Sequence, residues 1–137
     1  MDNMAIIIGS CTDITYRQVN YIRNNLICPL HSITGHFRIQ LFFLTGNNFS
    51  LIGKKDFILS LQEYSVLVLS GGETAYTVLY NADFDCLESG PQILPLISTG
   101  IIHGGILNGK KYVIKGGSIG NDNIYKKIIE YADINMR

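Results

Sequence analysis

The residues with most chemistry to offer sit in glycine-bearing turns: Gly9-Ser10, Gly71-Gly72-Glu73-Thr74 and Lys115-Gly116-Gly117. Each turn follows an apolar run and leads toward a stretch with helical spacing. A strand that turns on glycine into a helix start leaves backbone N–H groups unpaired. Those groups, backed by the helix dipole, hold anions. The implied chemistry is binding of a phosphate chain, and the central block from Val66 to Ala75 is its clearest instance. Thr74 reads equally well as a hydroxyl donor to phosphate and as a helix cap. Glu73 occupies a first-turn position where the dipole favours an acid, with a magnesium-bound water as its alternative partner. Lys115, at a strand end, is expected to be exposed, with neutralisation of phosphate charge as the alternative.

Other chemistries fit less well. Gly105-Ile106-Leu107-Asn108-Gly109-Lys110 has the wrong spacing for a Walker A loop, is followed by Lys111 where Ser or Thr is needed, and precedes a strand. Gly116-Gly117-Ser118-Ile119-Gly120 is half of a dinucleotide fingerprint without its G-x-G opening. A dinucleotide or coenzyme A binder therefore ranks last among binders of this fold class. His31, His36 and His103 have no metal-ligand spacing, and His103 reads as a turn residue. Ser10 has no His/Asp partner pattern, which argues against a hydrolase triad.

The elements that must position these turns alternate strand and helix. Ala5–Ile8, Ile39–Leu44, Val66–Leu69 and Tyr112–Ile114 read as buried strands. The first helix carries Val19, Ile22 and Leu26 on one stripe. Thr15 and Gln18 have capping-box spacing at its start, with Thr12 or Asp13 as rival caps. Cys28-Pro29 ends that helix, and Leu30–His36 reads as loop or short irregular strand. Thr45-Gly46-Asn47-Asn48 closes the second strand, and Asp56–Tyr64 forms a short helix. After Gly72, Ala75, Val78, Leu79 and Ala82 share one helix face. A short strand is expected near Cys86-Leu87, and Pro91–Gly105 reads as extended and irregular. Asn121-Asp122 should cap a last helix bearing Ile124, Ile128 and Ala132. The pattern predicts a three-layer, Rossmann-like α/β fold: a mostly parallel sheet with helices on both faces. Strand-to-helix turns of such a sheet lie at one edge, so the three turns should converge.

Composition narrows the partners. A chain of 137 residues is one domain by size, spanning 1–137, and 47% hydrophobic against 16% charged residues argues for a packed core. Formal net charge is zero, so no global field favours nucleic acid or an anionic membrane. The lysine pairs at 54–55, 110–111 and 126–127 read as solvated faces. Cys11, Cys28 and Cys86 show no CxxC spacing and suit a reducing cytoplasm. No apolar run reaches membrane-spanning length and no signal peptide is evident, so a soluble cytoplasmic protein is expected.

Four blocks, in order, resemble the nucleotide-binding C-terminal domain of the four-carbon acid sugar kinases. They are Gly9-Ser10 with Thr15 and Gln18; Gly71-Gly72-Glu73-Thr74-Ala75; Ile93-Leu94-Pro95-Leu96; and Lys115-Gly116-Gly117-Ser118-Ile119-Gly120 followed by Asp122. The match is nearly continuous from Val66 onward, and Gly-Gly-Glu-Thr-Ala is its most specific part. The resemblance implies an ATP site made by Ser10, Gly71, Gly72, Glu73, Thr74, Gly116 and Gly117, with Mg²⁺ on the phosphates. It also implies phosphorylation of a small acid sugar such as threonate or erythronate. The family's substrate-binding N-terminal domain has no counterpart in these residues. A separate sugar-acid-binding domain or subunit is therefore the expected partner, and a homo-oligomer is compatible with the reading. The rival is a non-catalytic nucleotide sensor or assembly module of the same descent.

Overall fold

The computed structural model describes residues 2–9, 12–25, 37–92 and 95–136. The expectations for Ser10, Cys11, Leu26, Cys28-Pro29, Leu30–His36 and Ile93-Leu94 lie outside the described residues.

Six strands form one sheet in the order β2-β1-β3-β6-β5-β4. The first four in that order are mutually parallel: β1 (Asp2–Ile8), β2 (Phe37–Phe43), β3 (Val66–Ser70) and β6 (Lys111–Lys115). β5 (Ile97–His103) and β4 (Cys86–Ser89) complete one edge as antiparallel strands. The side-chain period of two divides each central strand between two cores. Met4, Ile6, Ile8, Val66, Val68 and Val113 face α1 (Asp13–Asn25) and α4 (Ile124–Asn135). Ala5, Ile7, Leu67, Leu69 and Tyr112 face α2 (Lys55–Ser60), α3 (Gly72–Asn81) and a 3₁₀ segment at Gly46–Gly53. Both faces of the sheet are thus covered, which is why its strands are continuous apolar runs. The fold is the expected α/β architecture with a mostly parallel sheet.

Several local expectations give way to tertiary contacts. Pro91–Gly105 is not irregular throughout, because Ile97–His103 is a full strand paired on both sides. Its glycine is a packing residue: a Cβ at Gly100 would meet the Glu88 carbonyl and stand 2.8 Å from the Tyr112 ring. His103 ends that strand and pairs with Glu88 at 2.9 Å, so it is not a turn residue. The closing turn after β2 continues into the 3₁₀ segment, which buries Ile52. Thr15 and Gln18 form no capping box. Thr12 accepts the Thr15 amide at 3.2 Å, and the Thr15 and Gln18 side chains both reach another loop. Neither Asn121 nor Asp122 caps α4 through its side chain; the Asn121 carbonyl accepts the Ile124 amide instead. Among the described residues no helix is long and apolar enough to cross a membrane.

Candidate functional site

Sheet register brings the turns together. Ile8 lies opposite Phe43 on one side and Ser70 on the other, and Ser70 lies opposite Lys115. The carboxyl ends of four parallel strands are therefore level, and the turns after β1, β3 and β6 start side by side. Backbone bonds continue the ladder past them: Gly9 donates to the Ser70 carbonyl at 3.4 Å and Gly71 to the Lys115 carbonyl at 2.8 Å. The chain leaves β1 toward β2 and leaves β3 toward the opposite edge. Their carboxyl ends thus flank the point where the order of a doubly wound sheet reverses, the usual place for a ligand.

A crevice of about 300 Å³ opens there. Gly71, Gly72, Glu73 and Thr74 line it from the start of α3, Gly117 and Ser118 from the turn after β6, and Gly9 from the turn after β1. Of the residues expected at the site, Gly71, Gly72, Glu73, Thr74 and Gly117 are thus brought together. Gly116 is not among the residues that line the crevice, and Ser10 is outside the described residues. Phe49, from the 3₁₀ segment, also lines the crevice and carries no motif signal in the sequence. Ser118 was legible only as the neighbour of Gly117.

Glycine is required at the head of α3. Gly71 has φ +102°, a conformation side chains avoid, and no side chain caps the helix after it. The first helical bond runs from the Ala75 amide to the Gly71 carbonyl, so the amides of residues 72–74 have no partner within the helix. At Gly72 a Cβ would meet nothing within 4 Å, so the backbone is open to an approaching group. Thr74 is buried while Glu73 is exposed.

The third turn is built differently. α4 begins only at Ile124, so no helix N-terminus follows Gly116-Gly117 directly. Thr12 and the N-terminal half of α1 that follows it hold this loop instead. Thr12 Oγ1 lies 2.9 Å from Ser118 Oγ, Thr15 Oγ1 donates to the Gly117 carbonyl at 3.2 Å, and Gln18 Nε2 serves the carbonyls of Ile119, Gly120 and Asn121 at 3.0 to 3.3 Å.

Lys115 is not exposed, contrary to expectation: its accessible surface is 0%. Its Nζ donates to the carbonyls of Gly116 at 2.6 Å and Gly117 at 2.9 Å, and sits 5.4 Å from the centre of the Tyr125 ring. Burial pushes the ammonium down to about 8. Tyr125 donates to Ser70 Oγ at 2.7 Å; burial raises its phenol, and the bond to Ser70 opposes that rise. A wider depression of about 730 Å³ lies between α1 and residues 120–123, where Arg17 meets Asp122 at 3.4 Å. It lacks the converging turns.

A doubly wound α/β domain with a glycine-lined crevice at its reversal point belongs to the class of phosphate- and nucleotide-binding folds. Residues 56–124 match the family model described as a nucleotide-binding C-terminal domain, and the chain belongs to that family. Solved structures share its fold at low identity. A domain of unknown function (DUF1537) from Bordetella bronchiseptica, crystallised with citrate as a domain-swapped dimer, superposes with TM-score 0.76 at 12% identity over 97% of this chain and 40% of its own. A Salmonella typhimurium LT2 protein gives 0.71 at 13% identity over 93% of this chain and 40% of its own. A Haemophilus influenzae protein of the DUF1537 family gives 0.65 at 14% identity, covering 95% of this chain and 40% of its own. This chain therefore spans about two fifths of each of these structures. No curated protein matches it.

Proposed function

We propose that residues 1–137 form one nucleotide-binding domain that holds ATP in this crevice and positions it for transfer to a four-carbon acid sugar bound by a separate domain or subunit. The observation that carries the reading is the level register of three turns, which places the uncapped start of α3 and the Gly117–Ser118 backbone around one cavity. Gly71, Gly72, Thr74 and Gly117 would contact the phosphates, with Gly116 supporting the turn and Ser10 contributing from the first. The fit is supported by the open space above Gly72, where a Cβ finds no neighbour.

Phosphoryl transfer asks for alignment and charge stabilisation more than for covalent help from the protein. The domain's part is alignment of the triphosphate. Mg²⁺ would arrive with the nucleotide and supply neutralisation of its phosphate charge. Glu73 is the crevice carboxylate able to hold a metal-bound water, since among the described residues no three acids, histidines or cysteines cluster to hold a cation by themselves. The acceptor pocket and the base belong to the partner. Use of ATP and an exposed free Cys86 both suit a reducing cytoplasm.

Calorimetric titration with ATP and Mg²⁺ tests the reading. Saturable binding is expected for the natural chain and none for Gly72→Val, whose side chain enters the phosphate path. Absence of binding in the natural chain removes the proposal. Adding a sugar-acid-binding domain, with threonate or erythronate as acceptor, separates the kinase from its rival: phosphorylated product supports the kinase, and nucleotide binding without any product supports a sensor module.

A further inference from the structure

We infer that Lys115 is the cation of this crevice, a positioning residue that presents the Ser118 backbone amide to phosphate by holding the Gly117 carbonyl on its far side. The inference rests on the nucleotide-binding reading and names the residue that gives the third turn its charge. Lys115 is fully buried, and its Nζ reaches the carbonyl oxygens of Gly116 and Gly117 at 2.6 and 2.9 Å. A trans peptide unit is planar, so its N–H points opposite to its C=O. The Gly116 carbonyl shares a peptide with the Gly117 amide, and the Gly117 carbonyl shares one with the Ser118 amide. Among the described residues no peptide bond is cis. The two amides therefore point away from the ammonium, and Gly117 and Ser118 are the residues of this turn that line the crevice. Ammonium, the Gly117–Ser118 peptide dipole and cavity follow one another. A cation at the carbonyl end of a peptide polarises it and makes the N–H a stronger donor.

Charge gives a second, independent argument. Among the described residues no carboxylate pairs with Lys115. A buried cation served only by neutral oxygens and a ring face is costly, and an anion nearby removes much of that cost. The phosphates of a bound nucleotide supply that anion through the Ser118 amide. A lysine serving only to tie the turn would hold the same carbonyls but would not register whether phosphate is present.

Among the described residues the groups facing Nζ are few. From α4 comes Tyr125, kept neutral by burial; from the loop come the two carbonyls; Thr15 of α1 reaches the same Gly117 carbonyl, and Glu73 stands at the crevice. Burial alone brings the ammonium to about 8, so near that pH the empty site is partly deprotonated. Phosphate binding then draws a proton onto Lys115.

The experiment is calorimetry near pH 8 in buffers of different ionisation heat, with inorganic tripolyphosphate and with ATP–Mg²⁺ as probes. For the natural chain, binding of each probe should take up a fraction of a proton. Lys115→Met, of similar length and uncharged, should bind both at least about tenfold more weakly and take up none. Unchanged affinity in Lys115→Met, or no proton uptake in the natural chain, overturns the inference. If Lys115→Met does not fold, the proton count of the natural chain decides by itself. Absence of heat with either probe in the natural chain refutes the nucleotide reading, and this inference with it. Binding without proton uptake refutes only the role of Lys115.

Discussion

Gly9 and Gly72 both line the crevice but for opposite reasons, and substitutions separate them. A Cβ at Gly9 would fall onto Thr74 Oγ1 and stand 2.7 Å from Phe49 Cε2, whereas a Cβ at Gly72 meets nothing within 4 Å. Gly9→Ala should therefore cost about 1–3 kcal/mol of stability through overpacking and also deform the site. Gly72→Val should stay within about 0.5 kcal/mol in a urea melt while losing the ligand. A Gly9→Ala chain as stable as the natural one would mean that the crevice wall yields. At this scale the sequence was legible where glycine and an acid mark a helix start, as at Gly71 to Thr74. It misled at Lys115, because a strand-end lysine looks the same in sequence whether it points to solvent or curls back onto its own turn. Phe49 was invisible because nothing local distinguishes a crevice phenylalanine from a core one.

Among elements, α1 has a task beyond covering the sheet. Its side chains at Thr15 and Gln18, with Thr12 just before it, replace the helix that is absent directly after Gly116-Gly117, and they fix a loop about a hundred residues away in sequence. Gln18 is fully buried and its Nε2 is shared by three carbonyls. Gln18→Ala should cost about 1–3 kcal/mol, since carbonyls at 119–121 lose their donor, and nucleotide affinity should fall as Gly117 and Ser118 loosen. Arg17→Ala is the control from the neighbouring position: its ion pair with Asp122 is exposed, and less than about 0.5 kcal/mol should be lost. Equal losses in the two variants, read by thermal melts, would contradict the clamp. The capping-box spacing of Thr15 and Gln18 is real, but a competing set of loop carbonyls takes both side chains. The parallel strands were readable because burial on both faces makes them apolar runs. β5 was obscured because Gly100 is there for packing, and pairing with β4 and β6 supplies the regularity that local pattern lacks.

For the molecule as a whole, the reversal point of the sheet could be anticipated from alternating strands and helices, while the antiparallel edge of β4 and β5 could not, since pairing direction leaves no trace in either strand. The same global packing that buries Lys115, Tyr112 and Tyr125 and half-buries Tyr64 sets a pH dependence for stability. Lys115 is at about 8 in the fold against 10.5 when free. Below about pH 8 both states hold its proton, and the fold bears the full cost of a buried charge. As pH rises from about 8 toward 10.5 the folded chain gives up that proton while the unfolded chain keeps it, so the unfolded state binds more protons and stability climbs. Tyr125 and Tyr112 are raised from 10.0 by burial, and Tyr64 by burial and then by the charge of Glu63. Above about pH 10 the unfolded chain loses its phenolic protons first, and the stability held by these neutral tyrosines is lost as pH rises further. Stability should therefore peak at about pH 9–10, above the usual range near neutrality. Urea melts between about pH 7 and 11 should show the climb in the natural chain, on the order of 1–3 kcal/mol, and its absence in Lys115→Met. Saturating ATP–Mg²⁺ should flatten the climb as well, because bound phosphate holds the proton on Lys115. A climb that survives in Lys115→Met would place its source in another group and leave the buried ammonium without a measurable cost.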